Sequence, residues 1–177
     1  MKFTFTLVAF ILFNPAFSQQ LVPVDEGSEV GFVIKNFGVN VNGTFSGLEG
    51  EIEFDGENPA AAVFKVSVKA NTVNTGIKRR DNHLNQEEYL DAEKFPLLQF
   101  ASDKITASTD KDYWFIFGKL TIKGITREIS FPFKAIKQEP GYFFEGSFSV
   151  NRRDFNVGGS SLTMADELTV NLKIKAK

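Results

Sequence analysis

The chain has 177 residues, a formal charge of −2 at pH 7 and no cysteine, and its 20 phenylalanines stand against three tyrosines and one tryptophan. This length suits one domain built around one core. The lack of cysteine excludes disulfides and thiolate chemistry, and the interspersed charges exclude the one-signed basic face that nucleic-acid binding requires.

Residues 1–18 read as a secretory signal: a positive start at Lys2, an apolar run from Phe3 to Phe13, a break at Asn14-Pro15 and small residues at Ala16 and Ser18. The run is too short to span a bilayer. Cleavage is expected after Ser18, with residues 19–177 forming the folded domain in the periplasm or outside the cell.

A period of two then dominates. Val30, Phe32 and Ile34 alternate with polar or small neighbours, followed by Val39, Val41, Gly43 and Phe45, and by Ile52 and Phe54. Ala62, Phe64, Val66, Val68 and Ala70 face one way while Lys65, Ser67 and Lys69 face the other. Leu98 and Phe100 open a further strand, and Trp114, Ile116, Gly118, Leu120 and Ile122 form the next. Ile129, Phe131, Phe133 and Ala135 follow, then Tyr142, Phe144, Gly146, Phe148 and Val150. The last strand carries Leu168, Val170, Leu172, Ile174 and Ala176. Strict alternation predicts strands with one dry and one wet face. About eight such strands, punctuated by turn residues, predict an all-β antiparallel sandwich or barrel. A barrel is favoured because closure removes exposed edges.

Two stretches depart from the pattern. Asp81 to Glu93 is polar, with Leu84, Tyr89 and Leu90 as its few apolar positions; it predicts a short helix or lid capped by Asp81 and limited by Pro96. Asn156 to Ala165 is a loop with Gly158-Gly159-Ser160-Ser161 at its centre. Tyr113 to Phe117 is apolar on both faces, so its outer face needs cover from the lid, a packing helix or a second copy in a homodimer.

The groups that carry chemistry are sparse. His83 is the only histidine, and one histidine without a partner makes neither a metal site nor a catalytic pair. It either contacts a ligand at a barrel mouth or holds its own segment against a strand. Arg79, Arg80 and Asp81 invite a similar pair of readings, a forked grip on a head group or an ion pair that ties the loop. Arg152, Arg153 and Asp154 sit in what reads as a tight corner with a structural role. Glu87-Glu88 and Asp166-Glu167 read as solvated carboxylates. No Gly-x-Ser-x-Gly elbow and no phosphate-binding glycine loop occurs, so neither an enzyme nor a bound cofactor is expected.

Several segments, in order, resemble the YceI-like family. Val41-Asn42-Gly43-Thr44-Phe45 and Gly50 match its hairpin; Val73-Asn74-Thr75-Gly76 with Arg80-Asp81-Asn82-His83-Leu84 match its central signature. Lys94-Phe95-Pro96, Gly118-Lys119-Leu120-Thr121-Ile122 and Asn151-Arg152-Arg153-Asp154-Phe155 follow in register. The chain departs from the family at Gly27-Ser28, where a His-Ser pair is common, and at Asn156, where the family often has glycine.

The resemblance implies an eight-stranded lipocalin-like barrel that holds a long-chain isoprenoid or lipid. Periodicity alone leaves a filled interior and a ligand cavity equally open. With the resemblance added, the expected cavity wall is Phe32, Ile34, Phe45, Phe54, Phe64, Val66, Phe100, Trp114, Ile116, Leu120, Phe131, Phe133, Phe144, Phe148 and Leu172. The expected mouth is Arg79, Arg80, Asn82 and His83. A transient membrane contact is the further partner expected of such a carrier.

Overall fold

The alternating segments assemble into one antiparallel sheet. The computed structural model describes residues 19–110 and 112–177, so the expected signal, residues 1–18, lies outside it. Ten strands are formed: β1 (Gln19–Leu21), β2 (Pro23–Asn36), β3 (Val39–Phe45), β4 (Glu49–Phe54), β5 (Val63–Lys69), β6 (Leu97–Ala107), β7 (Trp114–Ile122), β8 (Ile125–Gln138), β9 (Gly141–Asn151) and β10 (Met164–Ala176). Their order in the sheet is β1-β4-β5-β6-β7-β8-β9-β10-β2-β3.

Two interruptions reconcile these ten strands with the eight expected. β1 runs on into β2 through Val22, whose N–H and C=O exchange hydrogen bonds with Lys177 at 2.9 and 3.0 Å. β1 pairs with β4 and β2 pairs with β10, so this one stretch carries the ladder from one end of the strand order to the other. β3 and β4 both run antiparallel to that stretch and are separated by residues 46–48. At this break the Asp25 carboxylate accepts the N–H groups of Gly47 and Leu48, each at 2.9 Å. It satisfies donors that the ladder has released. Counted as continuous stretches, the described residues form eight antiparallel strands in up-and-down sequence, curled about a common interior.

The helix differs from its expected span. α1 covers Lys78–Leu84 and not Asp81 to Glu93. Asp81 is not its cap: the carboxylate reaches back to accept the Thr75 N–H at 2.8 Å and the Thr75 hydroxyl. Residues 85–95 continue as successive turns, and Asp91 adopts the left-handed region (φ 49°), which no helix interior accepts.

One end of the barrel is filled. Leu21, Ile52 and Phe54 are fully buried there. The Phe54 ring meets those of Tyr142, Phe144 and Phe64 edge-on, at centroid distances of 4.9, 5.2 and 6.2 Å. Each fully buried phenylalanine contributes about 1.5–3 kcal/mol, so this plug anchors a fold that has no disulfide. On the outside, Phe115 and Phe117 are exposed, while Tyr113 is half-buried with the Lys134 ammonium 4.5 Å above its ring. The lid lies at the other end of the barrel and does not cover them. Among the described residues no helix is long and apolar enough to cross a membrane.

Candidate functional site

Above the plug the interior opens into a cavity of about 270 Å³. That is close to the lower bound of the roughly 300–1,000 Å³ usual for ligand clefts, a size suited to one slender chain. Phe64, Phe133 and Phe144 form its floor, with Phe64 lying 5.7 and 5.2 Å from the other two rings. Ile116, Leu120, Val66 and Leu172 line the walls, with Phe100, Phe131 and Phe148. Phe32, Ile34 and Phe45 line the part built by β2 and β3.

Two residues of the expected wall lie elsewhere. Phe54 is sealed in the plug, and Trp114 packs against the core at that same end. Both sit on the inward face of their strands, but they lie at the level where the barrel is filled.

The inward glycines do not open space for a ligand directly. A Cβ on Gly43 would lie 2.2 Å from Cζ of Phe32, its partner across β2 and β3. On Gly118 it would lie 2.7 Å from the Phe100 ring, and on Gly146 3.1 Å from the Phe131 ring. Each glycine seats a neighbouring phenylalanine. The rings can lie back against the wall, and the bore stays open.

The mouth is partly covered by the lid. Leu84, Tyr89 and Leu90, the apolar positions of the polar stretch, all line the cavity from above. Gly158 holds the lid by donating its N–H to the Glu88 carbonyl at 2.9 Å. The Lys123 ammonium bridges the carbonyls of Glu88 (3.3 Å) and Asn156 (2.9 Å).

Of the four expected mouth residues, Arg80 alone lines the cavity. Its Nε donates to Thr75 Oγ1 at 2.7 Å and its Nη2 to the Thr75 carbonyl at 2.9 Å. Nη1 has no hydrogen-bond partner among the described residues, so the fork is half engaged in the loop and half available. Arg80 and Asp81 are joined through Thr75 and not by an ion pair. Arg79, Asn82 and His83 are exposed on α1, outside the lining. His83 packs edge-on against Tyr89 at 4.8 Å, which buttresses the lid from its outer side.

Asn36, Ser67, Thr75, Gln99 and Arg152 also line the cavity and were not in the expected set. Asn36, at the end of β2, turns a buried side-chain oxygen to the interior with no hydrogen-bond partner among the described residues. Arg152 is almost fully buried and is held by the loop above it. Its guanidinium donates to the carbonyls of Ala165 (3.0 Å), Val157 (2.9 Å) and Gly159 (2.9 Å) and to Asp166 Oδ1 (2.6 Å). The expected structural role of the corner thus falls chiefly on Arg152.

A family model described as a YceI-like domain matches residues 22–176, which includes all the strands from β2 to β10. The chain belongs to the YceI-like family. A UPF0312 protein of Enterobacter sp. (strain 638) is 33% identical over 135 residues, 72% of this chain and 69% of that protein. A UPF0312 protein of Pseudomonas aeruginosa is 34% identical over 135 residues, 72% of this chain and 70% of its own length. Among solved structures, BcnA of Burkholderia cenocepacia superposes with a TM-score of 0.78 at 24% identity, over 83% of this YceI-like chain and 94% of BcnA. A protein of Saccharophagus degradans described as a polyisoprenoid binding domain gives a TM-score of 0.71 at 12% identity, over 89% and 97% of the two chains. At these identities the two structures speak for the fold.

Proposed function

We propose that this YceI-like protein binds a long-chain amphiphile and carries or sequesters it in an aqueous compartment outside the cytoplasm. The tail lies in the apolar bore, and the head is oriented at the mouth by Arg80 and Asn36. The observation that carries the reading is the cavity itself: a phenylalanine floor and apolar walls, with the unpaired Asn36 side-chain oxygen and the free part of the Arg80 fork lining it. Burial of the tail supplies affinity at about 25 cal/mol per Å² of apolar surface, and a few polar groups fix orientation. Isoprenoid quinones, polyisoprenoids and fatty amides or acids all have this shape. The polyisoprenoid binding described for the Saccharophagus degradans domain supports the class.

This reading makes the protein a binder and not an enzyme. It is tested by purifying the protein from its native host, denaturing it and extracting it with solvent. A stoichiometric long-chain lipid is the expected product. An empty protein that also fails to take up a fluorescent fatty acid would overturn the proposal.

Asn36 provides a sharper test. A buried polar atom left unpaired costs about 1–3 kcal/mol, a cost that a ligand group donating to it would offset. Asn36→Leu is therefore expected to stabilise the ligand-free protein by about 1–3 kcal/mol in urea denaturation and to weaken binding of a fatty amide. A variant that binds the amide as the parent does would remove Asn36 from the head-group site.

A further inference from the structure

We infer that the open end of the barrel docks on an anionic phospholipid surface through a rim of apolar and basic side chains, so that the ligand passes between bilayer and cavity without crossing water. This rests on the lipid-binding reading and names the surface from which that site is filled.

The rim is apolar where the barrel needs nothing apolar. Phe37 at the β2–β3 turn is 76% exposed, Val39 beside it 66%, and Ile77 at the start of α1 53%; Leu162 in the loop before β10 is fully exposed. Phe37 and the Leu162 loop are joined by the Phe37 N–H donating to the Thr163 carbonyl at 2.8 Å. Ile77 lies between Thr75 and Arg80, both of which line the mouth. The turn residues Phe37 and Gly38 both have positive φ, 51° and 75°. Such a two-residue hairpin turn favours asparagine or glycine in its first position. A bulky aromatic there, held out into solvent, is explained by what it touches outside the chain. Exposed apolar groups gathered around an opening mark a contact surface.

Charge decides which surface. The three rim segments, residues 35–45, 70–80 and 156–165, hold Lys35, Lys78, Arg79 and Arg80 and no carboxylate. The whole chain, by contrast, carries −2. Residues 85–95, which the loop before β10 meets at Glu88, hold Glu87, Glu88, Asp91 and Glu93 against Lys94 alone. A flat anionic surface would meet the hairpin, the start of α1 and the loop tip at Leu162 first, where the charged residues are Lys35, Lys78, Arg79 and Arg80. Apolar side chains entering the headgroup region alongside basic ones that pair with phosphates are the combination that binds membrane interfaces.

The test is co-sedimentation of the purified protein with vesicles of equal parts phosphatidylglycerol and phosphatidylcholine. The protein is expected to pellet at low salt and to be released at about 1 M salt, where screening acts within about 3 Å. Phe37→Ser with Leu162→Ser is expected to weaken vesicle affinity about tenfold or more. The same variant should take up a fluorescent fatty acid delivered from ethanol as the parent does, because neither residue lines the cavity. Phe115→Ser with Phe117→Ser, at exposed aromatics away from the mouth, should leave vesicle binding unchanged. The inference is overturned if the parent protein stays in the supernatant, if the rim variant binds vesicles undiminished, or if the rim proves to be a dimer interface that the same substitutions dissolve. Failure of fatty-acid uptake in the parent would instead count against the lipid-binding reading.

Discussion

Replacing Arg152 with alanine is expected to destabilise the protein by about 1–3 kcal/mol, the cost of leaving part-buried backbone acceptors without their donor, because its carboxylate partner Asp166 is half exposed and is re-solvated. Four acceptors converge on this guanidinium: the carbonyls of Val157, Gly159 and Ala165 and the Asp166 carboxylate. Without it, three backbone carbonyls in a glycine-rich loop lose their donors together. Arg152→Lys should recover only part of the loss, because a single ammonium cannot reproduce a fork directed at acceptors on several sides. Urea denaturation followed by Trp114 fluorescence measures both. An alanine variant with the midpoint and slope of the parent would show that the loop is held by something else.

Gly43→Val is expected to lower uptake of a fluorescent fatty acid by about tenfold or more while the barrel still folds, at an overpacking cost of about 1–3 kcal/mol. The added Cβ would stand 2.2 Å from Cζ and 2.5 Å from Cε1 of Phe32. The ring must give way, and its free direction is inward, into a cavity it already lines. Combining Gly43→Val with Phe32→Ala removes the displaced ring and should restore uptake, a coupling that a double-mutant cycle isolates. Uptake that survives the single change, or stays lost in the double one, would mean that ring position does not control the bore.

These predictions bear on residues that the sequence made legible to different degrees. Alternation turned most of the cavity-lining side chains inward because in a strand the side-chain direction follows parity alone. The same parity also points Asn36 and Arg152 inward. Asn36 stands two positions beyond Ile34, and Arg152 two beyond Val150, so each continues an inward series by one step. They stand outside the expected wall because asparagine there reads as a turn residue and Arg152 as part of a structural corner. Near the mouth, however, strands end against a lid, and an inward polar group meets loop carbonyls or a ligand. The lid was legible through Leu84, Tyr89 and Leu90, three apolar positions in a polar stretch. Its boundaries were not, because Asp81 pairs backwards with Thr75 and does not begin the helix. Phe54 and Trp114 share the parity of the cavity wall, but parity says nothing of height along the barrel.

By itself, then, the sequence determined an antiparallel barrel with a phenylalanine-rich interior, and several ordered motifs pointed to the YceI-like family. These are local properties: parity, turn residues and spacing survive in one dimension. Only the tertiary structure decided where the interior is filled and where it is hollow, because that depends on which rings meet across the barrel and which glycines let them lie flat. It alone brought Arg80, Asn36 and Arg152 to one end and separated their roles. A partly engaged fork, an unpaired amide oxygen and a guanidinium held by four acceptors differ in their neighbours.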